Sequence, residues 1–471
     1  MKNYLMVDFG STYTKLTAVD LEKEDIIATA SHYTTVSTDI TEGYHKALLK
    51  LYDQLGKKIT FDKIIACSSA AGGLKMCAIG LVEELTVEAA RRVCLGAGGK
   101  VDLVFSNKLT SLEVAQIIEK NIDIVLLAGG TDGGNSEVVL YNAEMLGIYG
   151  VDVPIIYAGN KACQDEIRLI FEKYRLKGYF CDNVMPKLNV LNIDSANEVI
   201  RKIFLENIIE AKGIKKIESE IDQVILPTPN AVLKAAQLLS EGYLDEAGLG
   251  DLMLIDIGGA TTDVYSVGWG YPSKTDVVLK GLQEPFAKRT VEGDLGMRYS
   301  AEGVLQSMSN REIYQYKKEG IDIEYEAQKR RENVEFIATN DRDIEVDAIF
   351  AKKCVSVAVS RHVGHLEMVY TPQGTIYFQT GKNLVDVGHL IGTGGIIIKS
   401  PKASEILLSA CYDRNNPLEL RPASPVMMID YDYILSAMGL LSLYEPLVAL
   451  RIMKKRIKVI EEGAMKTNAI A

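Results

Sequence analysis

The chain has no pair of cysteines two or three residues apart, which leaves neither a zinc-ribbon knuckle nor a thioredoxin-like redox motif. Its seven cysteines (Cys67, Cys77, Cys94, Cys163, Cys181, Cys354 and Cys411) are scattered through apolar stretches, the pattern of reduced, buried thiols in a cytoplasmic protein. No uncharged apolar run reaches the roughly 18 residues a transmembrane helix needs. Asp8 interrupts the one apolar stretch near the start, so no signal peptide is expected. Positive charge is in deficit too: 52 Lys and Arg against 63 Asp and Glu give a net charge of −11. An acidic chain is poorly suited to neutralising phosphates, which argues against non-specific nucleic-acid binding, and no membrane partner is expected. Hydrophobic residues at 47% and charged residues at 24% are globular values, and 471 residues are enough for two large domains or about three ordinary ones.

Along the chain, Tyr4–Asp8 is a short apolar run ending in an acid. A turn of small and hydroxyl residues and a second run, Leu16–Asp20, follow. Strand, tight turn, strand is the expectation. Ile26–Val36 reads as a third strand, residues 42–55 as a helix and Ile64–Cys67 as a buried strand. From about 82 to 226 the texture becomes a regular βα alternation. Val101–Phe105, Ile124–Ala128, Val153–Tyr157 and Tyr179–Asp182 read as strands, and Ile124-Val125-Leu126-Leu127 is a continuous apolar run of the kind buried parallel strands show. Ser111 is placed to cap one of the intervening helices. Thr228–Glu241 is amphipathic, and Leu252–Ile257 is a strand that again ends on an acid, Asp256. Residues 310–347 are rich in charge and read as solvated helix and loop.

The informative feature is a repeat. Asp8-Phe9-Gly10-Ser11-Thr12-Tyr13-Thr14-Lys15 and Asp256-Ile257-Gly258-Gly259-Ala260-Thr261-Thr262-Asp263 share one design. Each follows an apolar strand, places an acid at its end, then glycine, then small hydroxyl residues, and leads into a second strand. A turn of this kind presents several backbone N–H groups to one point, an anion-binding nest, and glycine lets a phosphate approach closely. The carboxylates Asp8 and Asp256 are then placed for Mg²⁺, which keeps several waters and bridges one or two carboxylates to phosphate oxygens. The candidate polyphosphate contacts are Gly10, Ser11, Thr12, Lys15, Gly258, Gly259, Ala260, Thr261 and Thr262. Asp263 is placed to orient water or metal, or simply to cap the turn.

These segments resemble the first and second phosphate motifs of the actin, sugar kinase and heat-shock chaperone ATPase superfamily. Leu390-Ile391-Gly392-Thr393-Gly394-Gly395 resembles its adenosine motif, with Gly392, Gly394 and Gly395 at the turn. Thr228-Pro229-Asn230-Ala231 falls where its first connecting helix begins. The resemblance implies two ribonuclease-H-like lobes with ATP and Mg²⁺ between them, and Asp8, Asp256 and Asp263 as the catalytic carboxylates. The expected fold is thus α/β, two such lobes with an inserted doubly wound βα unit. The boundaries expected are 1–81 for the first part of lobe one, 82–226 for the insertion and 227–251 for the connecting helix region. Lobe two, 252–471, would carry a charged helical insertion near 300–350. Within the superfamily the chain is similar to the MutL (GlmL) family, the glutamate mutase accessory proteins, on the two phosphate segments, on Ala128-Gly129-Gly130-Thr131-Asp132-Gly133-Gly134, and on length. That similarity implies an ATP-binding, chaperone-like factor that reactivates or assembles an adenosylcobalamin-dependent mutase, with the mutase subunits as partners; a homo-oligomer stays open. One departure stands out. The stretch before the connecting helix, Leu226-Pro227-Thr228-Pro229-Asn230, lacks the acid that chaperone ATPases carry there, and neither Thr228 nor Asn230 is a base at neutral pH. Slow hydrolysis and binding without turnover therefore both remain open.

Other constellations are weaker. The Gly129–Gly134 loop ends a strand and leads into a helix, a place for an anion or a partner, or a tight turn. Gly96-Ala97-Gly98-Gly99 precedes a strand and reads as a helix C-cap. Asp386 and His389 are separated by two residues, not the one of the cobalamin-binding motif. His362 and His365 are spaced to share a helix face, with no further ligand nearby. The rival functions are a small-molecule kinase of the same superfamily, an iron–sulfur activator and an actin-like filament former.

Overall fold

The computed structural model describes residues 2–10, 13–34, 40–68, 74–211, 220–372 and 374–460, with the side chains of 207–211, 224 and 225 left aside. The chain forms two compact units. The first comprises Met1–Ala235, Leu279–Arg289 and Leu435–Ala449, and the second Ala236–Val278, Thr290–Ile434 and Leu450–Ala471.

The first unit is built on a mixed sheet with strand order Gln223–Pro227, Lys63–Ser68, Asn3–Phe9, Tyr13–Asp20, Asp25–Tyr33. The three N-terminal strands form an antiparallel meander. The other two join parallel to the first. This is the ribonuclease-H-like order. The central strand is buried on both faces. Leu5, Val7 and Phe9 share a core with Tyr44, Ala47 and Leu51, the apolar stripe of the helix Ile40–Leu55 at i, i+3, i+7.

The same unit carries a second sheet, wholly parallel, in the order Gly99–Ser106, Leu74–Gly80, Ile124–Leu127, Ile155–Tyr157, Gly178–Phe180. Counted within itself this is 2-1-3-4-5, a doubly wound order. Its first strand is Leu74–Gly80, on the N-terminal side of the 81/82 boundary expected from sequence. A seven-residue strand with a polar Lys75 near its start is hard to read from periodicity alone. The helix at 111–119 is capped by Thr110, not Ser111, in a capping box with Glu113.

The second unit repeats the first sheet. Its order is Ala287–Glu292, Thr262–Val267, Leu252–Ile257, His389–Thr393, Val426–Ile429, Lys458–Val459. Thr262–Val267 pairs antiparallel with the central strand, while His389–Thr393 and then Val426–Ile429 add parallel. The long helix Asp341–His362 buries Val346, Phe350, Val355 and Val359 in this unit's core. The fold is therefore α/β with two ribonuclease-H-like sheets and a doubly wound βα unit carried by the first. Among the described residues no helix is long and apolar enough to cross a membrane.

The charged stretch 310–347 is not simply solvated. It forms the helices Asn310–Lys318 and Ile323–Glu332 and the start of Asp341–His362, and it holds a buried ion cluster. Arg330 is fully buried, with Nε 2.7 Å from Asp347 Oδ1 and Nη1 2.5 Å from Glu326 Oε2. Composition counted these charges as solvent-facing because it cannot register how they pair. Replacing Arg330 with Met would take one cationic partner from each of two buried carboxylates, leaving Asp347 to Arg298 alone, a loss of about 3–5 kcal/mol. The shift of the chemical-denaturation midpoint measures it.

Candidate functional site

In the first unit, the ladder between Asn3–Phe9 and Tyr13–Asp20 sets Phe9 opposite Thr14 and Asp8 opposite Lys15. Gly10 N–H donates to the Tyr13 carbonyl at 3.1 Å and closes the turn. A Cβ at position 10 would lie 2.5 Å from that oxygen, so glycine is required there. Ser11 and Thr12 lie outside the described residues. Asp8 is buried, and both its oxygens are held: Oδ1 accepts from Thr228 Oγ1 at 2.7 Å and Oδ2 from Ser436 Oγ at 3.0 Å. Thr228 opens the helix Thr228–Glu241 and Ser436 sits in the short helix Leu435–Leu441. Asn230 does not reach this group; its Nδ2 donates to the Gly96 carbonyl at 3.2 Å. Cys67, the parallel neighbour of Asp8, lies 3.7 Å from Thr228 Oγ1. Burial, and next the Asp8 charge, push its thiol well above the ordinary range.

The second hairpin has the same register. Ile257 faces Thr262, Asp256 faces Asp263, and Gly258 N–H donates to the Thr261 carbonyl at 2.8 Å. The repeat seen in sequence is thus a repeat of backbone hydrogen bonding. One difference is chemical. Where Asp8 has Lys15 across the ladder, Asp256 has a second carboxylate, and like charges directly opposite repel, an arrangement suited to a divalent cation. Asp263 Oδ2 accepts from Thr261 Oγ1 at 3.2 Å. The Thr262 hydroxyl is buried and donates to the Leu295 carbonyl at 2.9 Å, so it is already engaged.

Segment 296–300, which sequence reasoning passed over, straps this turn. The carbonyls of Gly258 and Gly259 accept from Met297 N–H at 3.1 Å and Arg298 N–H at 2.8 Å. The Ala260 carbonyl lies 2.6 Å from Ser300 Oγ. A trans peptide points its N–H opposite its C=O, so the amides of Gly259, Ala260 and Thr261 are turned away from the strap, together, to one side. That is the nest geometry. Gly296 permits the close approach, since a Cβ there would stand 2.5 Å from the Ala260 carbonyl carbon. Lone glycines and a serine in a loop carry no sequence signal of this job.

The proposed adenosine turn lies against the same strand. Gly394 has φ +94°, and a Cβ on it would be 2.4 Å from the Ile257 carbonyl and 2.9 Å from Asp256 Oδ1. Gly392 has no room for a side chain beside Ile397 and Leu407, whereas Gly395 faces open space. Tyr433 Oη donates to Asp256 Oδ1 at 3.4 Å. The buried Asp430 caps the Ile434 N–H at 3.0 Å and accepts from Thr393 Oγ1 at 3.4 Å. Tyr433, Asp430 and Ser436 had no motif to announce them.

The other sequence candidates have structural roles. The Gly129–Gly134 loop is stitched by Asn160 and Asn183, which bond Gly133 N–H, the Gly130 carbonyl and Asp132 Oδ1. The C-cap at 97 is as expected. His362 ends the long helix, buried between Thr290 and Ser266 hydroxyls, and His365 begins a strand, so the two do not share a helix face. His389 also begins a strand. No group of three or more His, Cys, Asp or Glu side chains among the described residues is arranged to hold a metal ion.

Two units with ribonuclease-H-like sheets, each with an acid and a glycine-closed hairpin at the end of its central strand, define a protein of the actin and sugar kinase ATPase fold. Within that class, the chain belongs to the MutL protein family, whose model matches residues 4–457. Protein MutL of Clostridium tetanomorphum is 52% identical over 457 residues, covering 97% of this chain and 99% of that one. Among solved structures the chain is similar to gluconate kinase from Lactobacillus acidophilus, with 11% identity, TM-score 0.37, and 98% of this chain and 93% of that one covered. It is similar as well to a diol dehydratase-reactivating factor in nucleotide-free form, with 10% identity, TM-score 0.37, and 94% and 100% covered.

Two outcomes are expected. Thr228→Val removes a donor from the buried Asp8 and should destabilise the protein by about 1–3 kcal/mol, read by thermal denaturation. All seven thiols have pKa values raised by burial, Cys181 and Cys354 to about 12 and Cys411 to about 11. At pH 8 a thiolate-specific reagent should therefore label the native protein slowly at every cysteine, and all seven rapidly in denaturant.

Proposed function

We propose that this protein binds ATP with Mg²⁺ through its two glycine-closed hairpins, and that it serves an adenosylcobalamin-dependent mutase, glutamate mutase or a related aminomutase, as an ATP-dependent reactivating or assembly factor. The observation that carries the nucleotide reading is the shared register of the two turns. Each puts a carboxylate two residues before a glycine whose N–H closes the loop onto the carbonyl three residues on. The residues present fit the ligands. The amides of Gly259, Ala260 and Thr261 suit phosphate oxygens. Gly10 suits close phosphate approach, and Lys15 adds positive charge. Asp8 and Asp256 would hold the metal through its waters, with Asp263 opposite. Bound Mg²⁺ would supply neutralisation of the phosphates. Gly392, Gly394 and Gly395 would lie against the adenosine. The accessory role and the mutase partner come from membership of the MutL family.

Thr228 and Asn230 are each committed to a hydrogen bond and neither is a carboxylate, so turnover without a partner should be slow. The small-molecule kinase is the competing reading. Titration calorimetry with MgATP tests the first. Asp8→Ala and Asp256→Ala should each abolish magnesium-dependent binding without unfolding the protein, and unchanged affinity in both refutes the site. ATP consumption against a panel of sugars and carboxylic acids tests the second, since acceptor-dependent turnover would establish a kinase. For the partner, MgATP and this protein should restore activity to a mutase inactivated during turnover; no recovery removes the reactivation role.

A further inference from the structure

We infer that Arg298 is a positioning residue of the second phosphate turn, tying it to the charged helical segment 309–347, so that nucleotide at the turn and the state of that segment are energetically coupled. The inference rests on the nucleotide reading above and extends it to a residue outside the motifs.

The connection is continuous and lies wholly within the second unit. The Arg298 backbone N–H holds the Gly259 carbonyl at 2.8 Å. Its side chain reaches the charged segment. Nε and Nη2 donate to the Phe336 carbonyl at 3.1 and 2.8 Å, Nη1 to the Met297 carbonyl at 2.7 Å, and Nη2 to Asp347 Oδ2 at 3.1 Å. The other Asp347 oxygen accepts from Arg330 Nε at 2.7 Å, and Arg330 Nη1 reaches Glu326 Oε2 at 2.5 Å. The Phe336 ring lies close to both guanidinium groups, 5.5 Å from that of Arg298 and 5.3 Å from that of Arg330. Arg331 pairs with Glu302, just past the strap.

Buried charges fix this geometry. Arg330 is fully buried, and Asp347 and Glu326 are nearly so. A guanidinium has a rigid planar fork of five donors, which here makes four hydrogen bonds to two carbonyls and a carboxylate; an ammonium has three donors at a single point and cannot make all four. If the strap shifts, the amides of Gly259 and Ala260 lose their common aim, and Arg298 must break its bond to Phe336 or to Asp347. Coupling of this sort is reciprocal: whatever moves the charged segment changes affinity at the turn, and nucleotide steadies the segment. A solvated charged insertion would have no reason to bury an Arg–Asp–Arg–Glu chain that ends on a phosphate turn.

The test compares wild type, Arg298→Lys and Arg298→Gln. Calorimetry gives affinities for MgATP, MgADP and AMP, thermal denaturation gives the midpoint, and hydrogen exchange follows residues 323–336 with and without saturating MgATP. Arg298→Gln should weaken MgATP and MgADP by between about 3- and 30-fold and AMP by less than about twofold, with Arg298→Lys intermediate. In the wild type MgATP should slow exchange over 323–336; in the Gln variant, at saturation, it should not. A lower midpoint with all three nucleotides weakened alike means a merely structural arginine and overturns the inference. If Arg298→Gln does not fold, the wild type decides: exchange over 323–336 unchanged by MgATP refutes the coupling. A wild type that binds none of the nucleotides refutes the nucleotide reading itself, and the inference falls with it, whereas binding with unaltered selectivity in the variants refutes Arg298 alone.

Discussion

A carboxylate at the inner end of a buried strand has to be held, and the hydroxyls of Thr228 and Ser436 on Asp8 are the interaction on which the first unit's site depends. Burial of such a charge costs several kcal/mol unless its oxygens find donors. The partners come from parts of the chain far apart in sequence, from the first turn of one helix and the first turn of another. Asp8 therefore organises a junction as well as facing a turn. Asp256 is treated differently. It is partly exposed, touched by Tyr433 and crowded by Gly394, with Asp263 across the ladder. Asp8 has hydroxyl donors on both oxygens and Lys15 across the ladder, whereas Asp256 has a second carboxylate across it.

The second turn shows how backbone groups are given a direction. Loops present amides in any orientation unless something fixes their carbonyls. Here three consecutive carbonyls are fixed, by two backbone N–H groups and one serine hydroxyl on segment 296–300. The strap is in turn fixed by Arg298, whose side chain is held by the buried Asp347 on the long helix and by the Phe336 carbonyl on the loop before it. The fixed direction of this turn is thus traceable outward to residues that a composition count would place in solvent.

Much of this was legible in the sequence, for physical reasons. The hairpins were visible because strand, acid, glycine and hydroxyl are all local requirements, and one motif reported the other. The parallel insertion was visible through apolar runs such as Ile124-Val125-Leu126-Leu127, buried on both faces. What stayed hidden was non-local. Ser436 and Tyr433 look like ordinary residues until folding brings them to Asp8 and Asp256, each within its own unit. Leu74–Gly80 was missed because the polar Lys75 breaks its apolar run, and Arg330 because a buried arginine and a solvated one are spelled alike. His362 and His365 were set on one helix by spacing, yet the helix stops at His362.

Neither unit is continuous in the chain. The first is finished by Leu435–Ala449, which delivers Ser436 to Asp8. Gly439 seats that late segment, for any side chain there would drive into the Ala231 carbonyl at 1.8 Å. Asp8 and Ser436 are 428 residues apart along the chain, and a contact of such separation forms only once the long loop between them has been closed, so the sheet of the first unit gains its final clasp when this remote segment docks.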